Sequence, residues 1–200
     1  MSQIPEMMGG RELNHDIPLA EGMNITYPNS TGDVALTRQL SVNTAASAVD
    51  VPAVSHPEAL YDLTYTIPAN SLAAGMRVRI GFQGVVVDNN GTDTLSVILR
   101  LGGLAGTALV TIVGANVADA DFFSGEIVLH IRTAGASGTF VGHGYVSGFT
   151  SISTAMVQVA VASTAINTTV AQVVGVGADW SAVSADNESR LEMLTVEVLG

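Results

Sequence analysis

The sequence predicts an all-β protein: an antiparallel β-sandwich, jelly-roll-like, of about eight strands, with an extended N-terminal arm. Three observations carry that prediction. Met76, Val78, Ile80 and Phe82 alternate with Arg77, Arg79 and Gln83, and Leu95, Val97, Leu99 and Leu101 alternate with Ser96, Ile98 and Arg100. Such period-two alternation marks strands with one buried face. Turn-forming Gly, Asn and Asp clusters recur roughly every 8–12 residues, the spacing of a sandwich or barrel. Finally, no repeat of about 20–50 residues is present, which argues against solenoids and propellers.

Residues 1–58 form the predicted arm. They hold Pro5, Pro18, Pro28, Pro52 and Pro57, five of the six prolines, and little sustained periodicity beyond a short strand at Leu36–Val42. An arm without its own core lies either against another chain or as a cap on its own sandwich. Residues 59–200 are the sandwich domain. Tyr61, Leu63, Tyr65 and Ile67 alternate with Asp62, Thr64 and Thr66, and Pro68 ends that strand. Ala69–Gly75 is a turn with room for one helical turn at Ser71–Ala74.

Met76–Leu101 reads as a hairpin with Asp88–Asp93 as its turn, because Asn90-Gly91 tolerates positive φ. Thr107–Val113 is a strand and Asn116–Asp121 a loop. Phe123, Ile127, Leu129 and Ile131 then alternate with Ser124, Glu126, Val128, His130 and Arg132. Thr139–Phe149 is the next strand. Residues 151–176 also fit a helical stripe, but Val157, Val159 and Val161 alternate with Gln158, Ala160 and Ala162, and the Val, Thr and Ile content suits a pleated surface. Thr168–Val176 follows as a strand, with a break at Gly175 and Gly177. Ala178–Asn187 is a loop containing the single Trp180, and Arg190–Leu199 closes the chain.

The composition narrows the function. The 200 residues are 48% hydrophobic but only 12% charged, about half the usual charged fraction. There is no lysine; all seven basic residues are Arg, the side chain suited to interfacial pairing. A surface this poor in charge is either small and polar or covered by other subunits. The net charge of −11 opposes binding to nucleic acid and to anionic membranes. Without cysteine there are no disulfides or thiolate metal sites. Met1-Ser-Gln-Ile-Pro-Glu6 has neither the basic start nor the apolar core of a secretion signal, and no apolar run is long enough to span a bilayer.

Catalytic motifs are not visible. There is no Gly-x-Ser-x-Gly elbow, and a P-loop needs the lysine this chain lacks. The run Gly142-His-Gly-Tyr-Val-Ser-Gly148 sits in a strand pattern, where glycine permits a bend or close packing. His130 and His143 fall on strands that are candidate neighbours, yet a metal site needs three or four convergent ligands. Asp88, Asn90 and Asp93 are the candidates for a calcium site, against the plainer reading of a turn built by Asp and Asn. Trp180, between Asp179 and Ser181, is the candidate exposed platform for a ligand ring. Arg77, Arg79, Arg100 and Arg132 project from strands and are the candidates for intersubunit pairing. The chain therefore reads as a non-enzyme that needs no cofactor.

Leu60-Tyr-Asp-Leu-Thr-Tyr-Thr-Ile-Pro-Ala-Asn70 resembles segments of small β-sandwich virion proteins of tailed bacteriophages. Asn90–Gly103, Ile127–Thr133, Ala136–Thr139 and Ala178–Asn187 resemble them too. The resemblance covers residues 60–200 in style and brings no catalytic residues. It implies a jelly-roll virion structural protein that decorates a capsid as a cement protein, or else a receptor- or glycan-binding head of a fibre or tail. It also implies a homo-oligomer, a trimer foremost, partnered by a major capsid protein or another virion protein. The protein would be made in the host cytoplasm and sit on the outer capsid surface, with residues 1–58 as its anchor.

Overall fold

The computed structural model describes residues 23–26, 35–42, 47–50, 58–88, 92–114, 117–149, 157–182, 184 and 186–200, the first three segments as strand backbone. Every regular element among them is a β-strand. From residue 59 onward there are nine: β4 (Ala59–Ile67), β5 (Arg77–Asp88), β6 (Leu95–Leu101), β7 (Thr107–Gly114), β8 (Phe122–Thr133), β9 (Gly138–Ser147), β10 (Val157–Ile166), β11 (Gln172–Trp180) and β12 (Glu188–Leu199). The smaller sheet runs β4-β11-β6-β7 and the larger β12-β5-β8-β9-β10. All pairings are antiparallel. The chain crosses between sheets after β4, β5, β7, β10 and β11, which gives the sandwich its jelly-roll-like character.

In the 1–58 segment, β1 (Met23–Thr26), β2 (Ala35–Val42) and β3 (Ser47–Asp50) continue the larger sheet past β12. β2 pairs with Thr195–Val198 and β3 with Glu188–Leu191, so together they cover most of that strand's edge. The predicted strand at Leu36–Val42 is β2.

Alternation fixes the core. Val78, Ile80 and Phe82 of β5, Ile127, Leu129 and Ile131 of β8, and Leu194, Val196 and Val198 of β12 point inward from the larger sheet. They meet Tyr61, Leu63 and Ile67 of β4, Val97 and Leu99 of β6, and Val174 and Val176 of β11. Burying a side chain of this size stabilises the fold by about 1.5–3 kcal/mol. Tyr61, Phe123 and Phe149 form an aromatic chain, with ring centroids 6.4 Å and 6.0 Å apart.

The structure corrects three expectations. Met76–Leu101 is not a hairpin: β5 lies between β12 and β8, while β6 lies between β11 and β7 in the opposite sheet. The link between them is a crossover. Alternation specifies which face of a strand is buried and says nothing about its neighbour. Asn90-Gly91, whose turn chemistry suggested the hairpin, falls outside the described residues. The second correction concerns Ala178–Trp180, which continue β11 instead of opening a loop. The third concerns Ser71–Ala74, which is not a helical turn: it lies between two hydrogen-bonded turns, closed by Ser71 N–H donating to the Pro68 carbonyl at 3.3 Å and Met76 N–H to the Ala73 carbonyl at 3.2 Å.

Candidate interaction face

The outward positions of the larger sheet form one continuous face, and the register places its residues in rows. One row runs Glu197, Arg79, Val128, His143, Ala160 across β12, β5, β8, β9 and β10. The next runs Thr195, Gly81, Glu126, Tyr145, Gln158. On the other side Arg77 faces His130, which faces Val141. Charged, imidazole, aromatic and aliphatic side chains thus share a single pleated surface.

Arg79 sits between two acids. Its guanidinium donates to Glu126 at 2.6 Å and to Glu197 at 3.5 Å. The hydrogen bond it donates to Glu126, the charge of that carboxylate and the weaker help of Glu197 hold the guanidinium protonated still more firmly than usual. Beside this triad, the His130 and His143 rings stack with centroids 5.3 Å apart, so the two strands are the neighbours the sequence predicted. Among the described residues no group of three or more His, Cys, Asp or Glu is gathered for a metal. A hollow of about 550 Å³ lies over β8, β9 and β10, lined by Glu126, Val128, His143, Tyr145, Gln158 and Ala160. Tyr145 is 44% exposed at its margin. Phe122 and Met193 add exposed apolar surface on the same sheet.

The four predicted interface arginines divide into two kinds. Arg79 and Arg100 have their counterions within the chain. Arg100, on the outer face of the smaller sheet, forms a two-point pair with Glu58 and donates to the Gly106 carbonyl at 2.9 Å. The Glu58 side chain lies across Gly177, where any Cβ would collide with its carboxylate. That glycine in the centre of β11 makes the ion pair possible. Arg77 and Arg132 are exposed and make no ion pair among the described residues.

Trp180 is not an exposed platform. It ends β11 in the core at 1% exposure. Of the calcium candidates, Asp88 closes β5 in register with Glu188, and Asn90 lies outside the described residues. The Asp93 carboxylate is buried and accepts a hydrogen bond from Asn187 Nδ2 at 2.6 Å. Thr94 and Ser181 bond beside it through Thr94 N–H to Ser181 Oγ, 2.8 Å, and Ser181 N–H to the Thr94 carbonyl, 2.9 Å. Asp93 therefore ties the β5–β6 crossover to the β11–β12 crossover, a structural task. Sequence reasoning missed Tyr145, Glu197 and Glu58. The first two stand at outward positions of alternating strands, but Glu197 meets Arg79, and Tyr145 stands between Glu126 and Gln158, only through the strand order. Nothing local to Glu58 signals its role.

The remaining buried polar groups also serve the fold. The Tyr61 and Ser189 hydroxyls bond at 2.7 Å, and burial pushes the Tyr61 phenol above its ordinary value while Ser189 partly offsets it. Asp121 accepts from Ala118 N–H at 2.8 Å, and Thr168 Oγ1 accepts from Gly135 N–H at 2.8 Å.

No protein-family model matches the chain, and no curated protein matches it by sequence. Among solved structures it is similar to winged bean acidic lectin complexed with methyl-α-D-galactose, at 10% identity and TM-score 0.34, covering 90% of this chain and 93% of that one. It is also similar to infectious bursal disease virus, Gt strain, at 12% identity and TM-score 0.24. There it covers 92% of this chain and 41% of the viral one. Likenesses of this size assign neither a function nor a binding site.

Proposed function

We propose that the chain is a non-enzymatic virion structural protein, a decoration or cement protein on the outside of a tailed-phage capsid. Its partners are copies of itself and a major capsid protein or another virion protein. The observation that carries this reading is the outer face of the larger sheet. In a chain only 12% charged, that face combines a preassembled Arg79–Glu126–Glu197 cluster with exposed Tyr145, Met193 and Phe122. Mixed aromatic and charged surfaces of this kind suit protein contact. A specific contact covers roughly 800 Å² per partner, and binding the assembled state stabilises it by mass action. A net charge of −11 keeps the protein off packaged nucleic acid and suits an exterior position. Among the described residues, exposed Arg77 and Arg132 make no ion pair within the chain and are placed to meet acidic groups on a neighbouring subunit. The test is quantitative mass spectrometry of purified particles from the virus that encodes this chain. Stoichiometric copies, removed by mild treatment that leaves the shell intact, support the reading; absence from the particles rejects it.

A second reading, a receptor- or glycan-binding head of a fibre or tail, is favoured by one observation. The hollow beside Tyr145 pairs an exposed aromatic ring with Gln158, His143 and Glu126, groups able to hydrogen-bond a sugar. Saturable binding on a glycan array, lost on Tyr145→Ala, would select this reading over the first.

A further inference from the structure

One side of the sandwich differs from the rest. The larger sheet ends at β10 and the smaller at β7, and no described strand pairs with the outer edge of either. β10 reads VQVAVASTAI and β7 TALVTIVG, so neither contains an acid, a base, a histidine or a proline. The turns that follow β6 and β10 line a shared hollow of about 320 Å³ at this side. Leu104 and Val170 in those turns, and Val113 on β7, are 47%, 48% and 64% exposed. The opposite edge of the larger sheet is treated otherwise, since β2 and β3 of the same chain cover β12. The far edge of the smaller sheet, β4, carries the exposed Asp62.

An open strand edge presents a row of N–H and C=O groups ready to pair, and soluble proteins commonly guard it with charge or proline. β10 has neither guard. Its one irregularity, a register shift between Val161 and Thr164, leaves Val157–Val161 as an unbroken run. We propose that this run is a self-association surface, pairing antiparallel with the same run of a second copy about a two-fold axis at Val159. The occupant follows from charge and symmetry. Two chains of net charge −11 repel one another over most approaches, and this edge is where they meet with no like charges opposed. A two-fold contact needs only one self-complementary patch. The pairing sets Val157 against Val161 of the second copy and Val159 against its own counterpart. On the outer face it sets Gln158 against Ala160, both exposed and both uncharged. The inference rests on the self-association within the function proposed above, though not on a virion location. It replaces the trimer implied by the sequence resemblance with an even-numbered assembly.

The test is light scattering coupled to size exclusion on the full chain. The wild type is expected at twice the 20.5 kDa chain mass or an even multiple of it. Gln158→Lys/Ala160→Lys places lysines opposite each other at both outer pairs and is expected to give monomer with an unchanged circular dichroism spectrum. Gln158→Glu/Ala160→Lys sets opposite charges in the same two pairs and is expected to keep the dimer. A monomeric wild type overturns the self-association itself. An assembly unaffected by the double lysine variant, or a trimer, overturns the surface while leaving self-association standing. Should the lysine variant fail to fold, hydrogen exchange on the wild type decides. The alternate amides within Val157–Val161 that point away from β9 are expected to gain at least about tenfold protection as concentration rises, and concentration-independent exchange at all of them rejects the proposal.

Discussion

Gly144 shows how tightly single positions are constrained. A Cβ there would run into the carbonyl oxygen of Glu126 on the neighbouring strand, with Ile127 Cδ1 and Cα behind it. Backbone gives way less easily than a side-chain tip, so Gly144→Ala is expected to cost about 1–3 kcal/mol in urea unfolding. The glycine run at 142–148 was legible in the sequence as a device for close packing, and the contacts at Gly142 and Gly144 agree. Tyr61 makes a second test. Tyr61→Phe leaves the buried Ser189 hydroxyl without this partner, at a cost of about 1–3 kcal/mol. The phenol's folded-state value lies above its ordinary value of 10.0. Above about pH 10 the unfolded chain therefore sheds that proton while the folded chain keeps it. Stability supplied by the neutral Tyr61 is complete below that pH and falls as the pH rises through the alkaline range. Tyr61→Phe should flatten that part of the fall, measured as urea midpoints between neutral and alkaline pH.

At the scale of elements, the two arginine clusters separate an exposed ion pair from a sheltered one. Arg79 is 48% exposed, and its salt bridges are screened by water and salt; Arg79→Ala should change stability by less than about 1 kcal/mol. Arg100 and Glu58 are only 19% and 12% exposed and lie over β11. Removing Arg100 strands a sheltered carboxylate, so Arg100→Ala is expected to cost about 1–3 kcal/mol in the same assay. Gly177→Ala, which displaces Glu58, should lose part of the same amount. The individual strands were readable because each buries one face and repeats every second residue. Their neighbours were not, because β5 next to β8 and β12 looks identical in sequence to β5 next to β6. Trp180 was misplaced for a related reason. Gly175 and Gly177 read as a break, whereas Leu60 and Thr64 pack over Gly175 and Glu58 over Gly177, so the strand runs through to the tryptophan.

For the whole molecule, composition was more informative than any motif. In a chain with 18 acids, seven arginines and no lysine, Arg79, Arg100 and Arg190 pair with acids among the described residues, while the edge strands β7 and β10 carry no charge at all. The sandwich class followed from alternation and turn spacing. The interaction face did not, since it exists only once β12, β5, β8, β9 and β10 are laid side by side. The candidate positions Asp93 and Trp180 are both buried, Asp93 bonded to Asn187 in line with the turn reading and Trp180 ending β11 in the core.

The proposal of an external, contact-making role is tested most directly by a cryo-electron microscopy reconstruction of particles that carry this chain. Sandwich density is expected on the outer shell, with the β12-β5-β8-β9-β10 face against a neighbouring subunit. Density inside the shell, or copies held only through other surfaces with that face open to solvent, would contradict it.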